Sequence, residues 1–423
     1  MTTAAGGAVN WLTPLLPGIA ELTDLDVRRL GRFEETLHSL LAKHPCGPGV
    51  EPRQRSQRLA GVRRELAEMG YLGWAVPASD GGSGGPALVQ TLIQFICGYH
   101  DADLRDSTGL GHGRLIARHA GLPVRERWLP RLLAGEIAGI AITEPQGGSQ
   151  VHASTTAAVA LPDGTWTVTG TKTCISRLDE AAVFIVFFKD PVGRLTAGVV
   201  DAGAAGLCRR RITPAGLSGW SWGALKFQDV RLGPSSVLGR PGDGMALLRE
   251  HFAYFRPLVA ATALGGAAAF HDHVTAHLCA RRKAGLIADL RDNALIALGR
   301  AYAQINTALL GAANAYRLAN CGDQRAEMWG CAVKAHAADI AHTVASDLAL
   351  LAGAAEFTIA SRLVKIERDL RALLYADGIH DSLYRAAGRA LTASHLAAPD
   401  PIPVPRIPSG VSDLLQVRLA GEH

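Results

Sequence analysis

The sequence predicts an α+β protein in which a β domain stands between two helical domains. Residues 1–138 and 244–395 show the three- and four-residue apolar spacing of amphipathic helices, whereas 139–243 shows short strand-like runs separated by glycine and proline. With 423 residues, of which 48% are hydrophobic, the chain can bury a large core in two or three subdomains. A proline-rich tail, 396–423, completes the predicted organisation.

The N-terminal domain is predicted to begin with two helices. The first is indicated by apolar residues that share one helical face, Val27, Leu30, Phe33, Leu37 and Leu40. The second occupies 56–69 and ends at Gly70, a residue type that commonly terminates helices. Helical patterns return at 86–99 and 111–120. The polar run between them, 100–106, is interpreted as a solvated helix end and not as a metal site, because no second ligand cluster accompanies it.

The middle domain is predicted to open with a strand and a glycine loop. The apolar run 139–142 ends in a Thr-Glu-Pro turn that starts at Thr143, and a Gly-Gly-Ser loop follows at 147–149. Glycines at this place let backbone N–H groups approach an anionic or planar ligand. A hairpin is predicted to turn at 161–164. Further strands are predicted at 181–188, 195–200 and 224–232.

Residues 244–395 are predicted to form a four-helix bundle. Their long Ala- and Leu-rich stretches favour helices over strands. Beyond them, five prolines between 397 and 408 exclude a helix and indicate an extended or mobile arm.

Composition and charge argue against several classes of function. The net charge of +5 is mild for this length. The chain contains no long Lys/Arg tract of the kind that nucleic-acid-binding proteins carry. Two basic clusters, 209–211 and 281–283, fit either solvated faces or contact with a phosphate-bearing cofactor or an acidic carrier protein. Seven cysteines without Cys-x-x-Cys spacing predict reduced thiols. The first 20 residues lack the basic region of a signal peptide. No apolar run is long enough to span a bilayer, so we expect a cytoplasmic protein without a membrane or nucleic-acid partner.

Two motifs in the middle domain carry a resemblance to a known family. The segments Thr143-Glu-Pro-Gln-Gly-Gly-Ser149 and Gly170-Thr-Lys-Thr-Cys-Ile-Ser176 are similar to the Thr-Glu-Pro-x-x-Gly-Ser and Gly-Thr-Lys-x-x-Ile-(Thr/Ser) patterns of the acyl-CoA dehydrogenase family. Further matching segments extend the resemblance over about 72–391. The resemblance implies an N-terminal helical domain, a middle β-barrel or sandwich domain that binds FAD, and a C-terminal four-helix bundle. It also implies an oxidoreductase that dehydrogenates acyl thioesters as a homodimer or homotetramer.

The resemblance implies which residues bind the cofactor: Ile142, Thr143, Gly148, Ser149, Cys174, Ser176, Arg281 and Gly353. Thr143 and Ser176 would lie against the flavin ring, and Arg281 would reach the pyrophosphate of a neighbouring subunit's flavin. Cys174 stands where most relatives carry Trp against the flavin. We interpret this thiol as small apolar filler, with a reactive thiol as the alternative. Glu144 is interpreted as an acceptor for buried backbone groups, not as an acid or base.

The resemblance also implies a catalytic carboxylate. From Arg368 onward the chain aligns without a gap to the family's Arg-Asp-x-x-x-x-x-Ile-Tyr-Glu-Gly-Thr pattern, which puts Asp377 in the position of the base. Aspartate is one methylene shorter than the family's glutamate and reaches roughly 1.5 Å less far. Other relatives carry the base just before the arginine that corresponds to Arg256, but here Phe255 cannot accept a proton. The implied substrate-binding residues are Arg256, Tyr375 and Gly378.

Departures from the family pattern leave several functions open. Besides Cys174 and Asp377, Ala253 stands where many relatives hold an Asp beside the pantetheine of coenzyme A. We expect an FAD-dependent dehydrogenase of an acyl group on an acyl carrier protein or coenzyme A, in a specialised biosynthetic pathway. Alternatives on the same fold are oxidation of a carrier-bound three-carbon unit toward a hydroxymalonyl-type extender unit, an oxygen-using flavin monooxygenase, and a non-catalytic flavin-fold protein. The electron acceptor, an electron-transfer flavoprotein or oxygen, also stays open.

Overall fold

Helices fill the N-terminal part of the structure, as the apolar spacing predicts. The computed structural model describes residues 7–16, 19–148 and 151–396. The N-terminal helices are α1 (Ala8–Leu12), α2 (Asp24–Lys43), α3 (Pro52–Glu68), α4 (Val89–His100), α5 (Arg114–His119) and α6 (Leu122–Leu133). Helix α2 begins at a capping box in which Thr23 and Asp26 exchange hydrogen bonds, and its predicted apolar face is buried from Leu30 to Leu40. The predicted proline-rich tail lies outside the described residues from 397 onward.

The middle part forms one eight-stranded sheet. Its strands are β1 (Ile137–Ala141), β2 (Ala157–Ala160), β3 (Trp166–Ser176), β4 (Ala181–Lys189), β5 (Leu195–Asp201), β6 (Leu207–Arg211), β7 (Trp222–Leu232) and β8 (Val237–Leu238). They lie in the order β6-β7-β3-β2-β4-β5-β8, and β1 pairs in parallel with β4. The predicted hairpin is confirmed, since β2 and β3 are antiparallel and the Leu161 amide donates to the Thr165 carbonyl at 2.8 Å. Strand β6 is not among the predicted strands, because its arginines 209–211 indicate only a basic cluster.

The C-terminal part consists of α7 (Gly244–Lys283), α8 (Asp292–Asn320), α9 (Ala326–Ala352), α10 (Arg362–Leu373) and α11 (His380–Leu396). Helix α7 has 40 residues and is therefore about 60 Å long. Because α8 runs back between them, α7 and α9 point the same way, and α10 and α11 pack on α9. Within the described ranges, no helix combines the length and the apolar character that crossing a membrane requires.

Helices α4 and α7 cross with their backbones in contact, which fixes the N-terminal part on the bundle. A Cβ atom on Gly98 would lie 2.0 Å from the Thr262 carbonyl oxygen, and one on Gly265 would lie 2.1 Å from that of Phe95. Glycine is therefore required on both helices at the crossing. The contact buries α4 from Val89 to Tyr99.

The polar run 100–106 is largely buried, so its interpretation as a solvated helix end is wrong. Asp103 and Asp106 are both almost inaccessible to solvent. Charge complementarity is the reason. Arg55 of α3 donates to Asp103 at 2.9 Å, and Arg177, which follows β3, donates from Nε to Asp106 at 2.7 Å. Buried charges persist only when partners compensate them, and these partners come from distant parts of the chain.

A lysine completes this ionic network from the C-terminal side. Lys365 of α10 lies among three carboxylates, with Nζ 2.7 Å from Asp101, 3.3 Å from Asp103 and in contact with Asp369. Its ammonium group therefore occupies the place that a cation ligated by these carboxylates would need. The loop after β6 reaches the same network, since the Leu217 amide donates to Asp369 at 2.6 Å. All three parts of the chain thus meet at one buried set of charges.

Candidate active site

The loop after β1 is docked on β3 by a buried lysine. Lys172 Nζ lies 2.7 Å from Glu144 Oε1 and donates to the Ile142 carbonyl at 3.0 Å. The Thr173 amide adds a hydrogen bond of 2.8 Å to the Thr143 carbonyl. Because Lys172 and Glu144 are both buried, the two motif segments of the middle domain form one structural unit.

Glu144 accepts hydrogen bonds from buried groups, as predicted. Its oxygens accept from the backbone amides of Thr155 and Thr156 at 2.7 and 3.0 Å, and from the Ser154 hydroxyl. Burial alone would raise the pKa of this carboxyl, but donation from Lys172, Ser154 and Thr155 holds the pKa far below its ordinary range. A carboxylate that is saturated with donors and stays ionised is not free to act as an acid or base.

The glycine loop and two hydroxyls fit the flavin. Gly147 has φ +138, which residues with side chains rarely adopt, and a Cβ on Gly148 would come within 3.0 Å of the Thr143 hydroxyl oxygen. The hydroxyls of Thr143 and Ser176 are half-buried and bond to none of the residues that the structure describes. Unpartnered hydroxyls on the two joined motif segments, together with two consecutive glycines, suit a planar, polar ring such as the isoalloxazine of FAD. Ser149 lies outside the described residues.

The end of β3 bulges at Cys174, and the thiol is exposed. The register between β3 and β7 shifts between Lys172 and Ile175, and Cys174 has φ +59. The interpretation of Cys174 as buried filler is therefore wrong, because the bulge leaves its side chain accessible. Its contact with the flavin stays a prediction. A small, accessible side chain here leaves the predicted ring position without the packing surface of an aromatic residue.

Asp377 sits in a turn between α10 and α11 whose backbone is held by two cations. Its φ is +56, a left-handed conformation that Asp adopts more readily than most residues. Arg256 of α7 donates from Nε to the Asp377 carbonyl at 3.2 Å. The fully buried Lys334 of α9 donates to the carbonyls of Gly378 and Leu374 at 2.8 and 3.4 Å. The predicted base and two of the predicted substrate-binding residues, Arg256 and Gly378, are therefore brought together.

The Asp377 carboxyl lies where the three parts of the chain meet. Burial raises the pKa of this carboxyl above the ordinary value for aspartate. Four nearby cations lower this pKa in part: Lys334, Arg177, Arg105 and Arg256. Arg105 belongs to the N-terminal part, and Arg177 directly follows Ser176 at the end of β3. Asp377 is thus within electrostatic range of the sheet end that carries Ser176.

Three predicted site residues are not part of this cluster. Arg281 lies further along α7 than Arg256, by about 37 Å at 1.5 Å per residue. Gly353 follows the end of α9, which runs parallel to α7, so it belongs to the same far end of the bundle. Tyr375 neighbours Asp377 in sequence, but its side chain is 61% exposed. A single chain therefore does not gather all the predicted cofactor and substrate residues at one place.

Three charged residues of the cluster are absent from the predicted site: Arg105, Arg177 and Lys334. Lys334 has a detectable signal, because it is an isolated lysine in an Ala-rich stretch of α9. An unpaired charge in such a stretch indicates a buried partner elsewhere. Arg177 directly follows the second motif, whereas Arg105 gives no signal of its own, because it belongs to the run interpreted as solvated.

Phe255 is enclosed by two histidines. Its ring stacks on that of His251 at 5.3 Å and lies 4.8 Å from that of His112. His112 Nδ1 and His251 Nε2 are 3.0 Å apart. Burial lowers the pKa of both imidazoles well below the ordinary value, so both are neutral at neutral pH. Phe255, His112 and His251 therefore form one stack of buried rings.

Three family models match consecutive parts of the chain. They are described as acyl-CoA dehydrogenase N-terminal domain, matching 33–136, middle domain, matching 139–230, and C-terminal domain, matching 242–392. The three matches follow one another in the order of that family's domains and together span most of the chain. They agree with the helix, sheet and helix order of the structure.

Individual proteins support the same relationship. Cyclohex-1-ene-1-carbonyl-CoA dehydrogenase of Geobacter metallireducens is 29% identical over 345 residues, which are 78% of this chain and 89% of that protein. The structure of a glutaryl-CoA dehydrogenase from Mycobacterium smegmatis in complex with FADH2 has a TM-score of 0.74 at 20% identity, covering 88% of this chain and 95% of that chain. The prolyl acyl carrier protein oxidase AnaB has a TM-score of 0.69 at 19% identity, covering 81% and 99%. The predicted family and fold are confirmed, and the chain belongs to the acyl-CoA dehydrogenase family, whose members are oxidoreductases that act on CH–CH groups with FAD.

Proposed function

We propose that this protein dehydrogenates an acyl thioester at Cα–Cβ, with Asp377 as the base that takes the α-proton. The observation that carries the proposal is the half-buried Asp377 carboxyl within electrostatic range of the β3 end. Arg256 and Lys334 hold the backbone of its turn. The raised pKa makes this carboxylate a stronger base than a solvated aspartate.

Each of the chain's own groups has a role in this reaction. The hydroxyls of Thr143 and Ser176 bind and orient the flavin ring. When bound, FAD supplies the acceptor for the hydride that leaves Cβ. An Asp377 carboxylate oxygen takes the proton from Cα, and the left-handed turn offers a way to deliver a side chain that is shorter than the family's glutamate. Arg256 and Lys334 act as positioning residues, because they contact backbone carbonyls of the turn.

We further propose that the acyl group is carried by an acyl carrier protein or by coenzyme A, in a specialised biosynthetic pathway. The similarity to AnaB, named as an acyl carrier protein oxidase, supports the carrier protein. Ala253 is buried, with its backbone close to Gly330 of α9, so α7 offers only a methyl group where many relatives hold a carboxylate. Exposed arginines on β6 fit an acidic carrier. The electron acceptor would be an electron-transfer flavoprotein or oxygen.

A second candidate is oxygen-dependent chemistry on the same fold. It includes a flavin monooxygenase, or oxidation of a carrier-bound three-carbon unit toward a hydroxymalonyl-type extender unit. The exposed Cys174 favours this candidate, because it stands where most relatives pack an aromatic ring on the flavin. Loss of that ring would give oxygen easier access to the reduced cofactor.

We also propose a homodimer or homotetramer in which Arg281 and Gly353 complete a neighbour's cofactor site. Their distance from Asp377 in one chain requires a second copy if they bind the same FAD. Near Gly353, the large apolar side chains of Leu350, Phe357 and Ile359 are 90%, 84% and 76% exposed. Apolar side chains left in water at one place are typical of interfaces. A monomer in sedimentation that retains stoichiometric FAD would contradict this assembly.

A cytoplasmic location is part of the proposal. All seven cysteines are free thiols. Free thiols are typical of compartments that keep cysteines reduced. Isolation of the native protein with intramolecular disulfides would argue against this location.

Flavin bleaching tests the proposed function. The purified protein is expected to show the visible spectrum of bound FAD and to lose that absorbance anaerobically when an acyl thioester is added. An FAD-loaded protein that stays oxidised with every acyl thioester, on coenzyme A and on an acyl carrier protein, would refute the dehydrogenase. Rapid reaction of the reduced protein with oxygen would favour the second candidate, and slow reoxidation would count against it.

The rate of flavin reduction is expected to depend on pH on both sides of neutrality. On the acid side the rate falls as Asp377 is protonated, at a pH above the ordinary aspartate range because burial raises its pKa. On the alkaline side the rate falls near pH 8, because burial lowers the pKa of Lys334 to about 8 and its neutral amine binds the turn less strongly. A pH series of single-turnover rates measures both limbs.

The variant Lys334→Met separates the two limbs. It is expected to lack the alkaline limb, because no group titrates at this position. Its acid limb should move to higher pH, since a cation that lowers the pKa of Asp377 is gone. An unchanged limb near pH 8 in this variant would assign that titration to another group.

A further inference from the structure

Two arginines lie near the Asp377 turn and share one carboxylate. Arg177 donates to Asp106 Oδ2 from Nε at 2.7 Å and also from Nη2, and Arg105 Nε lies 4.0 Å from the same oxygen. The Arg105 side chain donates only from Nη1, to a backbone carbonyl and, at 3.4 Å, to Asp103. Its Nη2 bonds to no residue in the part of the chain that the structure describes. One edge of a largely buried guanidinium is therefore left for a ligand.

The charges around this turn do not cancel. The four cations that act most strongly on the Asp377 carboxyl are Arg105, Arg177, Arg256 and Lys334. The carboxylates that act on them are Asp106 and Asp377, with Asp103 at 3.4 Å from Arg105 and Asp339 acting on Lys334. The next layer pairs Arg55 and Lys365 with Asp101, Asp103 and Asp369. The buried Arg63 beside it donates to backbone carbonyls, including that of Asp106. Counted over both layers, seven cations face six carboxylates, so one positive charge is left without a counter-ion even when Asp377 is ionised.

One imidazole, His112, lies near these arginines and contacts a second imidazole, His251. His112 is close enough to Arg177 and Arg105 for their charges to add to the effect of burial and lower its pKa further. His251 Nδ1 is buried and has no partner among the described residues. An unpaired buried acceptor costs less than an unpaired buried N–H, so His251 Nε2 carries the proton and donates it to His112 Nδ1. His112 then keeps an N–H donor on Nε2.

We propose that the acyl group of the substrate is short and ends in a carboxylate, which Arg105 and Arg177 bind. The inference rests on the proposed function, because the same acyl group must present its Cα to Asp377. His112 lies near the arginines and is part of the stack with Phe255 and His251, so we expect this stack to limit the length of the chain. The planar guanidinium edge matches the two oxygens of a carboxylate and offers charge-assisted hydrogen bonds. A hydrocarbon chain would leave the excess positive charge and the free edge of Arg105 uncompensated, which is costly.

A pair of matched thioesters tests the proposal on the FAD-loaded protein. Succinyl and butyryl thioesters of N-acetylcysteamine have the same chain length, and the small thiol removes any effect of the carrier. Anaerobic stopped-flow spectroscopy gives the ratio of the flavin reduction rate constant to the dissociation constant for each. We expect the succinyl thioester to be favoured by about tenfold or more, the effect of one good charge-assisted hydrogen bond. An equal or higher value for the butyryl thioester would overturn the inference.

Variants assign the preference to the arginine. In Arg105→Met the preference for the succinyl thioester is expected to fall toward one, and Arg105→Lys should keep part of it because the charge remains. The matched control is Arg231→Met, since Arg231 is an exposed arginine that also pairs with an aspartate, Asp163, and lies at the opposite end of β7 from Trp222. Its preference should equal that of the wild type. A preference that survives in Arg105→Met with bound FAD would overturn the assignment.

Failure of the proposed function can be told apart from failure of this inference. If neither thioester bleaches the flavin, the dehydrogenase proposal fails for both substrates. Isothermal titration of the same two thioesters then still decides the inference. Tighter binding of the succinyl compound, lost in Arg105→Met, would support the carboxylate site, and equal binding would overturn it.

Discussion

Asp377→Asn is expected to slow anaerobic flavin reduction by an acyl thioester on the order of 10³-fold, the typical contribution of a general base. The amide cannot take the α-proton. Arg256 and Lys334 contact backbone carbonyls of the turn, so its conformation and the bound FAD should be retained. Stopped-flow spectroscopy of the FAD-loaded variant, with a thioester that bleaches the wild type, measures the loss.

Asparagine removes the charge of the side chain and leaves the backbone conformation of the turn accessible. Asparagine tolerates the left-handed conformation at φ +56 about as well as aspartate does. The matched control is Asp381→Asn, which makes the same change of charge at a side chain that is 89% exposed and, among the described residues, pairs only with its neighbour His380. This control should reduce its flavin at the wild-type rate. Full activity in Asp377→Asn would show that another residue is the base.

Glu144→Gln is expected to lower the free energy of unfolding by about 3–5 kcal/mol, the usual effect of breaking a buried ion pair. The fully buried Lys172 would keep its charge without the carboxylate that now lies 2.7 Å away. The amides of Thr155 and Thr156 would also lose a charged acceptor. Urea denaturation at neutral pH measures the change, and the FAD content should fall because the loop that bears Thr143 loosens.

Two further variants test the cause of this destabilisation. Glu327→Gln removes one partner of an exposed pair with Arg249 at 3.7 Å and should change stability by less than about 1 kcal/mol. Glu144→Gln combined with Lys172→Met removes both buried charges and should recover part of the lost stability. If Glu144→Gln were as stable as the wild type, the pair would not hold the loop in place.

The same pair predicts how stability changes with pH. The folded-state pKa of Glu144 lies below its unfolded value, so its stabilising effect is complete above the ordinary carboxylate range. The effect is lost progressively as pH falls below that range toward the folded-state pKa. Glu144→Gln should therefore lose less stability than the wild type between neutral and acid pH.

Elements with a local signal were predictable from the sequence. The apolar spacing of α2 and the turn at 161–164 each specify one conformation, and the structure has both. The position proposed for the base follows from a gapless motif that includes Asp377, and the turn there is bonded to Arg256. These features depend on residues that are close together in the chain.

Features that depend on distant partners were not predictable. The run 100–106 has the composition of a solvated segment, and only Arg55, Arg177 and Lys365 make its burial possible. The exposure of Cys174 likewise depends on how β3 pairs with β7. Hydrophobic periodicity contains no information about which buried charges will meet, so the cluster around Asp377 requires the tertiary structure.

The length of α7 also constrains how this chain can change during evolution. Arg256 and Arg281 are on one continuous helix, so one inserted residue between them would turn Arg281 by about 100° and move it about 1.5 Å. In the proposed assembly such a change would damage the neighbour's cofactor site and leave the Asp377 turn of its own chain intact. Homologous chains should therefore differ in length in the connections at 284–291 and 321–325, and not between Arg256 and Arg281.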